Sequence, residues 1–386
     1  MKNFNSILIT ILFMLNIFAL PIDNKAQIDT DIVLGKIVTL DSKILGEKRN
    51  IFVNLPVGYD NGEDSYPVIY ILDGGGNFVF SSAIVNFLSR IQNMPRSIVI
   101  GIPNTDRTRD FTPTYVEESP TSGGADNFLE FLDKELLPYI KNNYRTQPYN
   151  ILYGHSLCGM FSIYSMFTKP ELFESYIAVS PYLMYDDEVV INKLGSTLLE
   201  GNDFKKNLFI TLGNEPEYNN SIDRMRELIS SKSKLLTFEI KEMINDNHNS
   251  SPLKSLYEGL EFIYPDWQLT RDDLNKGIES VKSHYNRLSK KYGYHIAIPE
   301  VTINFVGYQY LNNKQYTKAI EVFDFNIEQY PNSANVYDSL GEAFEKSGDI
   351  SSAIKNYQIA VQKGEILKDR NLPTYKINLN RVNTLN

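Results

Sequence analysis

Cysteine is almost missing from this chain of 386 residues: Cys158 stands alone. A lone thiol excludes an intrachain disulfide and a cysteine-based zinc site, so the core must hold the fold. Tryptophan is equally scarce. Trp267 is the single indole beside 25 Tyr and 21 Phe, which disfavours the row of Trp platforms common in polysaccharide grooves. Histidine occurs four times, at His155, His248, His284 and His295, so few positions can supply an imidazole. An excess of positive charge is absent as well. With 38 Lys and Arg against 47 Asp and Glu, the formal charge is -9 and the pI about 5.2. No basic stripe is available to neutralise phosphates, which argues against a nucleic-acid partner. Long apolar runs are confined to the N-terminus. Lys2 precedes the run Ile7 to Leu20, followed by small and polar residues up to Ala26. The run is shorter than the ~20 residues a membrane span needs. Residues 1–26 therefore read as a secretory signal peptide cut after Ala19 or Ala26, and the protein as periplasmic or secreted. No Cys near the cut supports a lipid anchor, and no later segment is long and apolar enough to cross a bilayer.

What is present is an alternation of strands and helices. Ile32 to Leu40 and Arg49 to Leu55 read as an antiparallel pair joined near Gly46. Short apolar runs follow at Val68 to Leu72, Ser97 to Ile102, Asn150 to Tyr153, Tyr176 to Val179, Leu208 to Leu212 and Leu235 to Ile240. Continuous, β-branched runs of this length suit buried parallel strands. Helical patterns separate them at Ala83 to Met94, Ala125 to Asn143, Met160 to Phe167 and Ser221 to Ser230. The expected core is an eight-stranded, mostly parallel sheet with flanking helices, over residues 27–268. Residues 269–298 are expected to form a polar linker helix. From residue 299 to 386 the chain repeats itself: Gly307, Ala319 and Phe323 align with Gly341, Ala353 and Tyr357. The common offset of 34 residues is the tetratricopeptide period, so an all-α module of paired helices is expected, capped by the stretch Leu372 to Val382.

Chemistry concentrates at Gly154-His155-Ser156-Leu157-Cys158-Gly159. Strand, tight turn with a central Ser, then helix is the layout of a nucleophile elbow, in which a strained turn lifts the hydroxyl clear of the sheet. The usual G-x-S-x-G carries Gly where this chain has Cys158, which is expected to pack as a small hydrophobe. Counting strands tests the reading. The elbow follows the fifth, and the α/β-hydrolase order puts an acid after the seventh and a His after the eighth. Gly213-Asn214-Glu215-Pro216-Glu217 and Asn245-Asp246-Asn247-His248 occupy those stations. A Ser hydroxyl needs an imidazole to take its proton, and the imidazole needs a carboxylate on its far nitrogen. Ser156, His248 and Glu215 are the candidate catalytic residues, with Glu217 and Asp246 as alternative acids.

An oxyanion hole needs two backbone donors, one from Leu157 and one from the glycine-rich loop Asp73-Gly74-Gly75-Gly76, where Gly75 is the candidate. Asn77-Phe78 lacks the Lys-Ser/Thr that a phosphate loop requires. In the charged loop Ile102 to Thr114, Arg107 or Arg109 is a candidate clamp for an anionic substrate, against the alternative of Arg–Asp pairs that merely order the loop. Tyr182 is a candidate for the pocket wall.

These stretches, together with Tyr70-Ile71-Leu72-Asp73-Gly74, Arg107-Thr108-Arg109-Asp110-Phe111-Thr112-Pro113 and Leu256-Tyr257-Glu258-Gly259-Leu260, resemble the esterase D and enterochelin (siderophore) esterase family of α/β-hydrolases. Mycolyltransferases and feruloyl or acetyl-xylan esterases are more distant relatives. The resemblance covers roughly residues 30 to 265. It implies Ser156 as nucleophile, His248 as base, Glu215 as acid, and Gly75 and Leu157 as oxyanion donors, with no cofactor and no metal. Cys158 is the departure from the pattern. The expected activity is hydrolysis of a siderophore-type or other small ester. The alternatives are a carbohydrate esterase, acyl transfer to another acceptor, and a weakly catalytic scaffold that recruits a protein partner through its helical tail.

Overall fold

The computed structural model describes residues 32–384; the expected signal peptide lies outside the described residues. Eight strands form one sheet in the order β1-β2-β4-β3-β5-β6-β7-β8. They are β1 (Lys36–Ser42), β2 (Glu47–Asn54), β3 (Tyr66–Leu72), β4 (Ile98–Ile102), β5 (Thr146–His155), β6 (Ser175–Val179), β7 (Asn207–Leu212) and β8 (Thr237–Glu242). The expected antiparallel pair is β1 and β2, turning at Gly46, whose φ of 66° is left-handed. β2 runs antiparallel to β4, and every pairing from β4 across to β8 is parallel.

The period of two sorts side chains onto two helical layers. Tyr70, Leu152, Tyr176 and Leu208 enter the large core with Phe128 and Phe161 of the helices Ala125–Phe131 and Leu157–Thr168. Their strand neighbours face the other layer. Gly101 lies under Phe78 of the helix Gly74–Arg90, and Ile177 lies under Gly259 of the helix Ser251–Ile263. A Cβ on Gly259 would sit 2.8 Å from Ile177, so only hydrogen permits this approach. Thr211 Oγ1 donates to Ser255 Oγ at 2.8 Å across the same layer.

Three expectations change. The glycine-rich stretch is no loop: Gly74 to Gly76 are the first residues of a helix that was expected to begin only at Ala83. Ser251–Ile263 is a helix that the strand count passed over. β8 runs two residues later than Leu235 to Ile240, and its mostly exposed residues mark a sheet edge.

Beyond Trp267 the described chain is helical. Helices Arg271–Asn275 and Ile278–Tyr292 come first. Tyr292 rests on the sheet domain, donating its hydroxyl to Ile263 O at 3.0 Å and stacking within 5.1 Å of Tyr264. Trp267 belongs to the same ring cluster. Helices Glu300–Asn312, Tyr316–Gln329, Ala334–Ser347 and Ile350–Leu367 then form two hairpins, and Leu372–Asn383 packs on the second. The repeated residues meet as their chemistry requires. Gly307 lies under the Phe323 ring, and a Cβ on Gly341 would come within 2.8 Å of Tyr357.

Candidate active site

The parallel strands end on one side of the sheet, and three chain reversals there are strained. Asp73 follows β3 with φ 53°, Ser156 follows β5 with φ 61°, and Ser180 follows β6 with φ 39°. None is glycine, although L-residues rarely hold positive φ. Ser156, with ψ -118°, is also the residue from which the helix Leu157–Thr168 starts. Gly154 makes the turn possible: a Cβ there would run into the Cys158 carbonyl. Gly159 permits the close approach to β6, since its Cβ would lie 3.0 Å from Val179 O. In this chain the glycine that packs the elbow against β6 is Gly159, next to Cys158.

The end of β6 holds the elbow from beside. Ser156 N–H donates to Val179 O at 2.8 Å, and Tyr182 N–H donates to Ser156 O at 3.1 Å. Cys158 is fully buried. Burial, with the Asp73 carboxylate beside it, pushes its thiol well above the ordinary value, so it stays a protonated packing group.

His248 lies in the loop after β8 and hydrogen-bonds Glu215 Oε1 through Nδ1. Glu215 is 5% exposed. Its other oxygen accepts Gly213 N–H at 3.0 Å and the Ser180 hydroxyl at 2.5 Å. Of the three candidate acids, Glu215 is the one joined to His248. Glu217 is exposed on the turn Pro216–Tyr218. Asp246 pairs with Lys254 at 2.7 Å and accepts from Ser250.

The imidazole of His248 is packed between rings, 4.5 Å from His155 and 5.8 Å from Tyr218. Burial, reinforced by His248, lowers the His155 pKa to about 4, so His155 is neutral near pH 7. Burial beside Glu215 raises Tyr218 to about 12, with a side-chain hydrogen bond to Ser156 acting in the opposite direction. Tyr182, at the rim, is 36% exposed and lies 6.1 Å from the Tyr218 ring. Of the remaining imidazoles, His284 is buried against Trp267 O, and His295 is exposed just beyond the end of the helix Ile278–Tyr292.

Both candidate oxyanion donors are now helix residues. Leu157 opens one helix and Gly75 belongs to the first turn of another. First-turn N–H groups have no intrahelical acceptor, and the helix dipole adds positive potential there.

The two arginines differ. Arg109 donates to Asp110 Oδ1 at 2.8 Å and to both Glu47 oxygens at 2.7 and 3.2 Å. With Arg49, which reaches Asp110 at 2.7 Å from full burial, it ties the loop to β2. All its nitrogens are engaged, so the loop-ordering alternative describes Arg109, not a substrate clamp. Arg107 instead forms a two-point pair with Asp73 at 3.0 Å and donates to His155 O at 3.2 Å, beside the elbow. Burial works to raise the Asp73 carboxyl, but Arg107 and Asn104 overcome it and hold the pKa below the usual value. Residue patterns had not singled out Tyr218, Ser180 or the Asp73 partnership. Tyr218 ends a 3₁₀ turn and Ser180 directly follows a strand, and position was the only available signal.

Comparison with known proteins agrees with this geometry. Residues 42–233 match the Esterase family model, described as "Putative esterase". The ferri-bacillibactin esterase BesA of Bacillus subtilis is 29% identical over 188 residues, which are 42% of this chain and 65% of that protein. The siderophore triacetylfusarinine C esterase of Aspergillus fumigatus is 26% identical over 38% of this chain and 56% of that protein. The chain therefore spans less than two thirds of the length of both curated relatives. The crystal structure of an IroE-like serine hydrolase from Shewanella oneidensis is 28% identical and superposes with a TM-score of 0.66, over 77% of this chain and 99% of that one. Over residues 42–233 the chain is an esterase-like α/β-hydrolase.

Proposed function

We propose that this protein hydrolyses a carboxylic ester through an acyl-enzyme on Ser156. The hydrogen bond between Glu215 and His248, at the edge that carries the strained Ser156 turn, supports the reading most directly. In this mechanism His248 Nε2 takes the Ser156 proton as Oγ attacks the carbonyl carbon. Glu215 holds Nδ1–H and stabilises the imidazolium that forms. Leu157 and Gly75 N–H groups bind the developing oxyanion, and each such donor lowers a barrier by ~3 kcal/mol. The imidazolium then protonates the leaving alcohol. Water then attacks the acyl carbon while giving a proton to His248, and His248 passes that proton to Ser156 Oγ as the acyl–Oγ bond breaks and the acid leaves.

The names of the relatives support a siderophore-type or other small ester. Tyr182 and Tyr218 offer an aromatic wall for its acyl group. Trp267 packs into the Tyr264–Tyr292 cluster, so it offers no sugar platform at the site, which favours the small ester over an acylated polysaccharide. The sequence of residues 1–26 supports export, tested by N-terminal sequencing of the mature protein. The 34-residue packing repeat supports a tetratricopeptide-like tail that docks a protein partner.

Hydrolysis of a short-chain p-nitrophenyl ester by the full-length protein and by Ser156→Ala tests the activity. Wild type should exceed the variant by at least ~10³-fold; equal rates would sink the proposal. Turnover of a ferric siderophore ester against a feruloylated or acetylated oligosaccharide then decides the substrate class.

A further inference from the structure

We infer that Ser180 is a positioning residue for the triad, acting through Glu215, and that the end of β6 sets the nucleophile and the acid together. The inference rests on the esterase reading and extends it to a residue outside the Ser–His–acid set.

Four observations converge on Ser180. Its side chain is fully buried, and its hydroxyl spends its proton on Glu215 Oε2 at 2.5 Å, the length of a charge-assisted O–H···O⁻ bond. That oxygen has Gly213 N–H as its other donor. Glu215 Oε1 is thereby left to His248 Nδ1. A buried carboxylate with one oxygen under-solvated would rotate toward whatever donor it could find, and His248 would lose its fixed orientation. Ser180 prevents that rotation.

The backbone of Ser180 is the third observation. At φ 39° it holds a conformation that glycine would adopt without strain, yet the chain keeps a side chain there. Ser180 N–H is fixed to Thr211 O at 2.8 Å, on the strand that leads into Glu215. The fourth is the neighbourhood. Val179 O accepts Ser156 N–H, and Tyr182 N–H donates to Ser156 O. The four residues Val179 to Tyr182 therefore touch the nucleophile through two backbone bonds and the acid through one hydroxyl. A shift of the β6 end moves Ser156 and Glu215 as one body. Small misplacements of reacting groups cost rate steeply.

The test compares wild type, Ser180→Gly, Glu215→Ala and the double variant, all full length, with Ser156→Ala as the inactive control. Glycine suits φ 39° and removes the hydroxyl; Ser180→Ala, which keeps Cβ, checks that lost packing is not what is read. Two readouts are taken. On a p-nitrophenyl ester, kcat per site titrated with a phosphonate should fall roughly tenfold or more in Ser180→Gly at unchanged KM, with Tm not lowered. In the Glu215→Ala background, removing the hydroxyl should change nothing further, because nothing remains to be positioned. Independently of turnover, the ¹H resonance of His248 Nδ1–H, expected downfield because Glu215 accepts it, should shift or broaden in Ser180→Gly. An unchanged resonance, a kcat within twofold of wild type, or losses that multiply in the double variant would each overturn the inference. A wild type no faster than Ser156→Ala, with a resonance that still responds to Ser180→Gly, would instead remove the esterase reading and leave the positioning role standing.

Discussion

The carboxyl edge of the sheet and the helical tail solve the same backbone problem with different residues. In the tail, positive φ occurs at Gly277, Gly293, Gly348, Lys314 and Lys368. Gly293, Gly348 and Lys368 are helix C-caps, where a left-handed residue simply ends the helix. At the sheet edge the left-handed positions after β3, β5 and β6 are Asp73, Ser156 and Ser180. Asp73 binds Arg107 and Ser180 binds Glu215. The difference is instructive. Where left-handed backbone only turns the chain, glycine is the low-energy choice. At the strand ends it persists under Asp73 and Ser180, whose side chains hold Arg107 and Glu215, bonds that glycine could not make.

The comparison breaks first at Ser156. Ser156→Gly should relieve the φ of 61° while removing the hydroxyl. Ester hydrolysis should drop by at least ~10³-fold, while the Tm stays the same or rises by a few degrees. A variant with less activity and a lower Tm would show that Ser156 is structural, and the contrast with the tail would fail. Next comes Gly341 in the tail. An added Cβ stands 2.8 Å from the Tyr357 ring, so Gly341→Ala forces the hairpin apart at a cost of about 1–3 kcal/mol. Hydrogen exchange over Ala334–Ser347 should speed up while kcat stays at the wild-type value. A loss of kcat would mean that the tail supports the site. Smaller again is Gly348→Ala, where φ is 91° and no atom lies within 4 Å of the new Cβ. Strain is then the whole effect, about 1 kcal/mol, read as the same acceleration of exchange in the last turn of Ala334–Ser347.

The sequence exposed most of what burial dictates. β3 through β7 are short apolar runs because both faces are covered, and such runs need no partner to be recognised. The strand count therefore led to the loops of Glu215 and His248. β8 was misplaced because an edge strand is half polar. Gly74 to Gly76 read as a loop because glycine is a poor helix former, but at a helix start next to Ile102 a Cβ has no room, as Gly74 shows. Propensity lost to close approach there. The choice among Glu215, Glu217 and Asp246 needed burial, which spacing does not carry. Arg109 was open between a clamp and a loop-ordering pair, because its partner Glu47 lies on β2, 62 positions away. Ser180 was invisible for the same reason: its meaning lies in a contact with a residue 35 positions on.

Titration gives the finest separation of the two regions. At the sheet edge, Asp73 is held below its usual range by Arg107 despite burial. In the tail, burial raises Asp338 to about 6, reinforced by the like charge of Glu342, and the hydrogen bond from the Asn378 amide and the charge of Arg381 offset this only in part. An acid whose folded pKa lies above the unfolded value of about 3.9 binds more protons when folded. Its linkage therefore works against folding as pH rises from about 4 through about 6, and acidification within that window stabilises the fold. Between pH 7 and pH 5 the group should add about 1 kcal/mol to the stability of the second hairpin. Asp338→Asn keeps an acceptor for Asn378 and removes the proton. Hydrogen exchange over Ala334–Ser347, corrected for the intrinsic effect of pH, should slow on acidification in the wild type and show a smaller response in the variant. Equal responses would place the Asp338 carboxylate in contact with water and erase this difference between tail and site.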